Sequence, residues 1–357
     1  MRTLATKQTA INQYNGLGNQ LWDLSGQRPT LDLRFAEDRT LVDATTGANL
    51  IAFTRASSGT YVGSDGLIKL ATTDEARFDH SPTTGESLGL LVEESRTNLL
   101  LNSATLATQN VTVTAIAHTL SFYGTGTVSL SGAHSATLVG TGAYPSRAAL
   151  TFTPTAGTLT VTVSGTVEYA NLEIGAGGLG ASSPTSYIPT TTATVTRAAD
   201  VASISGGNFS SWYRQDEGTV FVDVFNREVY SGTNIFPYVA QFDDGTSTER
   251  ISLDHSVLAG GYRTQYVVRD GDINQASITA QSGLATGAAK WSAAYGLSSF
   301  ASASNGAAPS EVGGGTVPTV NRLQIGNGFG TQYTGTIKRL TFWPQRLPNK
   351  VLQTITQ

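Results

Sequence analysis

The run Leu159-Thr-Val161-Thr-Val163 sets apolar side chains on one face of a strand and threonines on the other. Strict alternation is the period of a β-strand, and one polar face marks a half-buried antiparallel strand. The pattern recurs in Asn110-Val-Thr-Val-Thr114 and Thr127-Val-Ser-Leu-Ser131. Short strands of this kind, separated by Gly and Ser, predict a β-sandwich over the surrounding segment. That segment, residues 103–196, holds three charged side chains, Arg147, Glu168 and Glu173. Its solubility rests on hydroxyls, and such a low-charge surface suits packing against a partner chain or lying along a glycan. The stretch Tyr187–Thr196 closes it as an extended linker, and Pro189 discourages a helix there, because the residue before a proline avoids the helical region.

Working outward, the whole chain reads as all-β. Its 357 residues include 51 Thr and 39 Gly, and 13% are charged, against about 25% in ordinary soluble domains. This composition favours strands and tight turns, and it excludes a helical bundle, a coiled coil or a doubly wound nucleotide-binding enzyme. The length corresponds to two or three domains. A formal charge of −4 leaves no footprint for nucleic acid or an anionic membrane. With no cysteine there is no disulfide and no thiolate metal site, and His80, His118, His134 and His255 are too widely spaced for a His-based one. No metal or cofactor is expected. The opening MRTLATKQTAINQYNG lacks the apolar core of a secretory signal, and no stretch approaches 18 apolar residues. The expected product is soluble and made in the cytosol.

Three regions follow. Residues 1–30 are polar, with isolated Leu4, Ile11, Tyr14, Leu17, Leu21 and Trp22, and read as an arm. Residues 31–202 form a β-rich scaffold containing the sandwich above, with a hairpin at Thr60–Leu70 around Asp65-Gly66 and a short buried strand at Leu88–Val92. Residues 203–357 form a second sandwich. There Thr219–Phe225 is apolar on both faces and hence central, Asp244-Gly245, Asp270-Gly271 and Asn305-Gly306 mark turns, and Pro348–Ile355 is helical. The charge shift and the linker place a boundary near residues 200–215, so residues 210–357 are expected to fold alone.

Several motifs invite chemistry. Gly85-Glu-Ser87-Leu-Gly89 matches the nucleophile elbow, but the β-like Leu90-Leu-Val92 follows where a helix is needed. Gly175-Ala-Gly177-Gly-Leu-Gly180 matches the dinucleotide fingerprint, but Ala181-Ser-Ser-Pro184 cannot open the crossover helix. Glu93 and Glu94 are adjacent and would point to opposite faces of a strand, and Asp243-Asp244 sits at a turn, so both pairs read as solvated or capping carboxylates. Asp243, Asp244 and Asp254, or Asp270 with Asp272, supply too few oxygens for calcium. No catalytic residue is expected. Trp291 and Tyr295 lie among alanines and read as core, and Trp343 seals the sandwich. For sugar stacking the candidates are Trp212 and Tyr213, which precede the second sandwich, and Tyr262 and Tyr266, which share one strand face at i, i+4.

Three stretches carry a resemblance. Phe53–Val62 running on through Gly85–Leu99 is the first, and Ser186–Thr190 continuing to Thr196-Arg-Ala-Ala-Asp200 is the second. Together they resemble virion proteins of tailed phages and prophages, in which the segment between is a jelly roll like a carbohydrate-binding module. Third, residues 218–357 look like a laminin G/concanavalin A-like domain, through Ala293–Tyr295 to Asn305-Gly306 and Gly335–Leu340 to Pro344–Leu347. The resemblance implies tandem jelly-roll and concanavalin A-like antiparallel sandwiches. It also implies a non-enzymatic tail fibre, head fibre or spike that attaches to capsid, portal or tail proteins and binds host surface polysaccharide. By analogy it is a homo-oligomer, a trimer. A purely structural decoration or cement protein is the alternative, and a polysaccharide depolymerase a minor one. Residues 1–30 lie outside the resemblance and are the expected virion anchor, with Tyr14, Leu17, Leu21 and Trp22 as attachment residues.

Overall fold

A computed structural model of the chain describes residues 21–175, 183–230, 234–329 and 332–357. It is an all-β protein of two antiparallel sandwiches, with three short helices among the described residues. The alternating run that opens the sequence lies in the strand Gly157–Ser164, with Leu159 and Val161 buried. That strand sits in a four-stranded sheet between Thr127–Gly132 and Gln109–Val113, with Ala136–Val139 at the edge. Facing it is a five-stranded sheet ordered Gly142–Phe152, His118–Gly124, Glu168–Gly175, Arg96–Asn98 and Val195–Arg197. The core between them runs from Leu100 to Leu172 and, among the described residues, draws on none outside this module.

The larger sandwich packs an eight-stranded against a seven-stranded sheet. In the first, Gly218–Asn226 is central, between Gly287–Gly296 and Gly335–Trp343. Val220, Val222 and Val224 enter the sandwich core, while Phe221 lies on the other face with Ala294, Ala301 and Trp343. The helices Leu21–Ser25 and Asn349–Ile355 cover that second face, which is why this strand is apolar on both sides. The seven-stranded sheet runs Ala52–Thr54, Val201–Ser205, Arg322–Ile325, Tyr238–Asp243, Arg250–Leu258, Gly261–Asp270 and Ile273–Ser282. Its hairpins turn at Asp244-Gly245 and Asp270-Gly271, where Gly245 and Gly271 adopt positive φ, and Trp291 and Tyr295 are fully buried.

The boundary expected near residue 202 falls inside this larger sandwich. Leu31–Leu33 and Ser87–Val92 both pair with Gly335–Trp343, and Phe78–His80 extends that sheet from Ser87–Val92. Leu31, Leu33, Leu90 and Val92 share one core with Val222 and Leu340. The smaller sandwich is thus an insertion within the larger one. Its entry strand Arg96–Asn98 and exit strand Val195–Arg197 lie side by side in antiparallel register, Asn98 opposite Val195. Tyr187–Thr190 is no free linker: Tyr187 and Ile188 are buried, Thr60 Oγ1 donates to the Tyr187 carbonyl, and Asn98 Nδ2 donates to that of Ile188.

Candidate functional site

The sequence motifs converge on the junction of the two sandwiches. Arg55 pairs with Asp200 at 3.0 Å, and Arg77 bridges Asp200 at 2.5 Å and Glu93 at 2.7 Å. Arg197 reaches Glu93 at 3.1 Å, and Arg96 joins Glu94 at 2.6 Å and Glu228 at 3.0 Å. All of these side chains are buried. Burial pushes the Glu93 carboxyl up, but Arg197, Arg77 and Ser186 outweigh it and hold it well below the usual carboxylate range. Burial dominates at Glu94, whose carboxyl is raised. Glu93 and Glu94 are therefore not solvated. Their charges tie the inserted module to its host.

Ser87 opens the strand Ser87–Val92, so the strand–turn–helix of a nucleophile elbow does not form there. Residues 176–180 of the dinucleotide-like motif lie outside the described residues. Asp243 stands opposite Arg250, and Asp254 lies four residues further along that strand, about 13 Å away at ~3.3 Å per residue. Asp243 is also buried rather than solvated. Among the described residues no group of three or more His, Asp or Glu could share a metal ion.

The aromatics singled out in sequence face inward. Tyr262 and Tyr266 do share a strand face, but it is the core face. Tyr266 is fully buried and donates to the Ala294 carbonyl, while Tyr262 is half-buried against His255 and donates to the Tyr230 carbonyl. Trp212 is buried against Phe209 and Phe342, and Tyr213 stacks on Phe209 at 4.4 Å. Trp212 and Tyr266 have no open ring face for a sugar. At the N-terminus, Leu21 packs into the chain's own helix pair, and Trp22 lies beneath the guanidinium groups of Arg28 and Arg34. Leu21 is thus part of the chain's own core, while Trp22 stays partly exposed. Tyr14 and Leu17 lie outside the described residues.

An open groove of about 770 Å³ lies beside the hairpin formed by Gly59–Val62 and Ile68–Ala71. The hairpin turns through Asp65-Gly66. Gly66 has φ +75°, and a Cβ there would come within 2.9 Å of the Pro82 carbonyl oxygen, so glycine is required. Tyr61 and the Asp65–Lys69 ion pair form one wall, and Arg39 and Asn49 lie on the preceding segment. Phe78 and His80 line the groove from the strand that follows the hairpin. Tyr61 and Phe78 are part-exposed residues, and Phe78 also packs against the sandwich core. His80 is buried, and its Nδ1 lies 3.1 Å from the Val62 carbonyl. A carbonyl only accepts, so Nδ1 donates to it. The Nε2 on the other side of the ring is buried with no partner among the described residues. Sequence reasoning missed these residues because Thr60–Val62 was legible as a strand while the groove wall from residues 39–49 is assembled by tertiary packing.

No protein-family model matches the chain, and no curated protein matches its sequence. Among solved structures, the CBM40 of a Ruminococcus gnavus sialidase bound to α2,3-sialyllactose is similar at TM-score 0.33 and 12% identity, over 40% of this chain and 84% of that one. Domain 4 of AbnA, a GH43 extracellular arabinanase from Geobacillus stearothermophilus, in complex with arabinotriose gives 0.33 and 12%, over 51% and 90%. A botulinum neurotoxin type C structure gives 0.34 and 10%, over 44% and 40%.

Proposed function

We propose that this is a non-enzymatic surface protein of a tailed-phage particle, a fibre or spike that binds host surface glycan through the hairpin groove. One observation carries the glycan part. The groove combines the part-exposed Tyr61 and Phe78, on whose rings sugar C–H faces can lie, with the polar Asn49 and Arg39 and the Asp65–Lys69 pair. The particle part rests on the sequence resemblance, and so does assembly as a homo-oligomer, a trimer by analogy. The motifs behind the resemblance are occupied by a buried ion-pair network, which supports a scaffold role for them rather than a catalytic one.

Calorimetric titration of the full chain with purified host polysaccharide tests the reading. Binding is expected, and Tyr61→Ala should weaken it about two- to tenfold, because one stacked ring contributes on the order of 0.5–1.5 kcal/mol. Antibody labelling of particles in electron micrographs should place the protein at the virion surface. Silence toward host polysaccharide combined with tight binding to capsids would favour a purely structural decoration protein.

A further inference from the structure

We propose that Arg250 and Arg269 form a binding site for an oxyanion, a carboxylate, sulfate or phosphate group, on the outer face of the seven-stranded sheet. The site is distinct from the hairpin groove and does not depend on the glycan reading. In the strand Arg250–Leu258, Ile251, Leu253 and Val257 are buried, the first two in the sandwich core, so Arg250, Ser252 and Asp254 point to the opposite face. In the strand Gly261–Asp270, Tyr266 and Val268 enter the core, so Val267 and Arg269 point outward. The ladder sets Arg250 directly opposite Arg269. Directly opposed residues have Cβ atoms about 4.5–5.5 Å apart, and like charges there repel.

The protein does not neutralise this pair in full. Asp243 is the ladder neighbour of Arg250 on its other side, yet its carboxylate is already occupied. Oδ1 accepts from Arg322 Nε at 2.5 Å and from the Gly245 amide at 2.8 Å. Oδ2 accepts from Gln241 and Gln324 Nε2 at 2.8 and 2.7 Å. Two carboxylate oxygens offer about four acceptor sites, and all four are filled. Asp254 accepts from Ser252 and Ser256 and makes no ion pair among the described residues. Glu249 accepts from the Gly271 amide, and Asp270 from Thr316.

Arg250 has no ion pair among the described residues, and its Nη1 donates to the Ser247 carbonyl at 2.8 Å. Arg269 reaches the exposed Asp272 at 2.7 Å through Nη2. The Nε–H of both arginines is buried, with no acceptor among the described residues. Arg250 Nη2 and Arg269 Nη1 make no hydrogen bond among the described residues either and lie outside that buried set, and such N–H groups on two facing residues match the two oxygens that a carboxylate, sulfate or phosphate presents. An anion between them would also relieve the repulsion built into the register.

Thermal unfolding and calorimetric titration of the full chain in sodium chloride, sodium sulfate and sodium glucuronate, at matched ionic strength, test this. Sulfate stabilises proteins generally by exclusion, so the readout is the difference between wild type and variant. Wild type should gain more from at least one oxyanion than Arg250→Gln does, and the variant should bind that ion at least about tenfold more weakly. In chloride the variant should melt at or above wild type, because one of two opposed charges is gone. A response to glucuronate assigns a carboxylate ligand, and a response to sulfate alone assigns a tetrahedral one. Arg269→Gln should lose the same response, and it decides the matter if Arg250→Gln does not fold. The proposal is overturned if both variants keep the wild-type response, if wild type shows no excess, or if Arg250→Gln folds but melts below wild type in chloride.

Discussion

Arg77 Nη2 lies 2.5 Å from Asp200 Oδ2, with both side chains fully buried and 123 positions between them in sequence. Asp200 stands where the chain leaves the inserted sandwich, and Arg77 precedes the strand Phe78–His80 of the host sheet. Asp200 Oδ2 also accepts the Glu93 amide at 2.9 Å. The contact pins the exit of the inserted module to its host. Charges taken out of water at such a junction are tolerated because each has a partner, not because ion pairs stabilise strongly.

Glu93→Gln should therefore destabilise the protein by about 3–5 kcal/mol at pH 7, since it leaves Arg77 and Arg197 under-compensated in a buried site. Urea denaturation measures it. The wild-type pH dependence has a definite sign. The Glu93 carboxyl is held below its ordinary 4.5, so its contribution is fully present above about pH 4.5 and is lost as pH falls through the depressed folded value. A variant as stable as wild type at pH 7 would show that the network is not needed.

Asp254 behaves in the opposite sense. Burial pushes its carboxyl from 3.8 up to about 7, despite hydrogen bonds from Ser256 and Ser252 and the attraction of the Arg250 charge. Between those values the folded state holds a proton that the unfolded state releases, so this group's contribution falls as pH rises from about 4 to 7. Asp254→Asn should stabilise the protein at pH 8, on the order of a few kcal/mol, with the gain vanishing near pH 4. Melting curves at the two pH values check this. Equal shifts at both would be contrary to it.

Residues 203–357 expressed alone should not fold. Their sheet would lack Leu31–Leu33, Phe78–His80 and Ser87–Val92, and their core would lack Leu31, Leu33, Leu90 and Val92. Residues 95–198, whose core is self-contained, should fold as an isolated sandwich. Circular dichroism and proteolysis of the two fragments decide between this outcome and its reverse.

Deletion of residues 1–28 should lower the melting temperature. It removes Leu21 from the apolar layer it shares with Trp343 and Leu352, and it removes the Gln27 carbonyl that accepts from Trp343 Nε1 at 3.1 Å. Loss of one buried leucine alone costs about 2–5 kcal/mol. An unchanged melting temperature, paired with loss of particle attachment, would restore the reading of these residues as an anchor.

The all-β class, the strand Gly157–Ser164, the turns at Asp244-Gly245 and Asp270-Gly271, and the two-faced strand Gly218–Asn226 were legible in the sequence. Each depends on a local signal: alternation with period two, or a residue that tolerates positive φ. Partnership was not legible. Nothing local in Leu88–Val92 says that it pairs with Gly335–Trp343, more than 240 residues away, or that 31–92 and 203–357 build one sandwich around another. For the same reason Glu93 and Glu94 looked solvated, since a carboxylate is buried only when distant arginines arrive to pair with it. Spacing put Tyr262 and Tyr266 on one face, but only the packing of the second sheet decided that this face was the core. The sequence by itself determined the local periodicity and the turns, because those follow from backbone sterics and neighbouring side chains. The tertiary structure decided the nesting of the sandwiches, the buried charge network, the groove at Tyr61 and His80, and the facing pair Arg250 and Arg269, because each is set by sheet register between segments far apart in the chain.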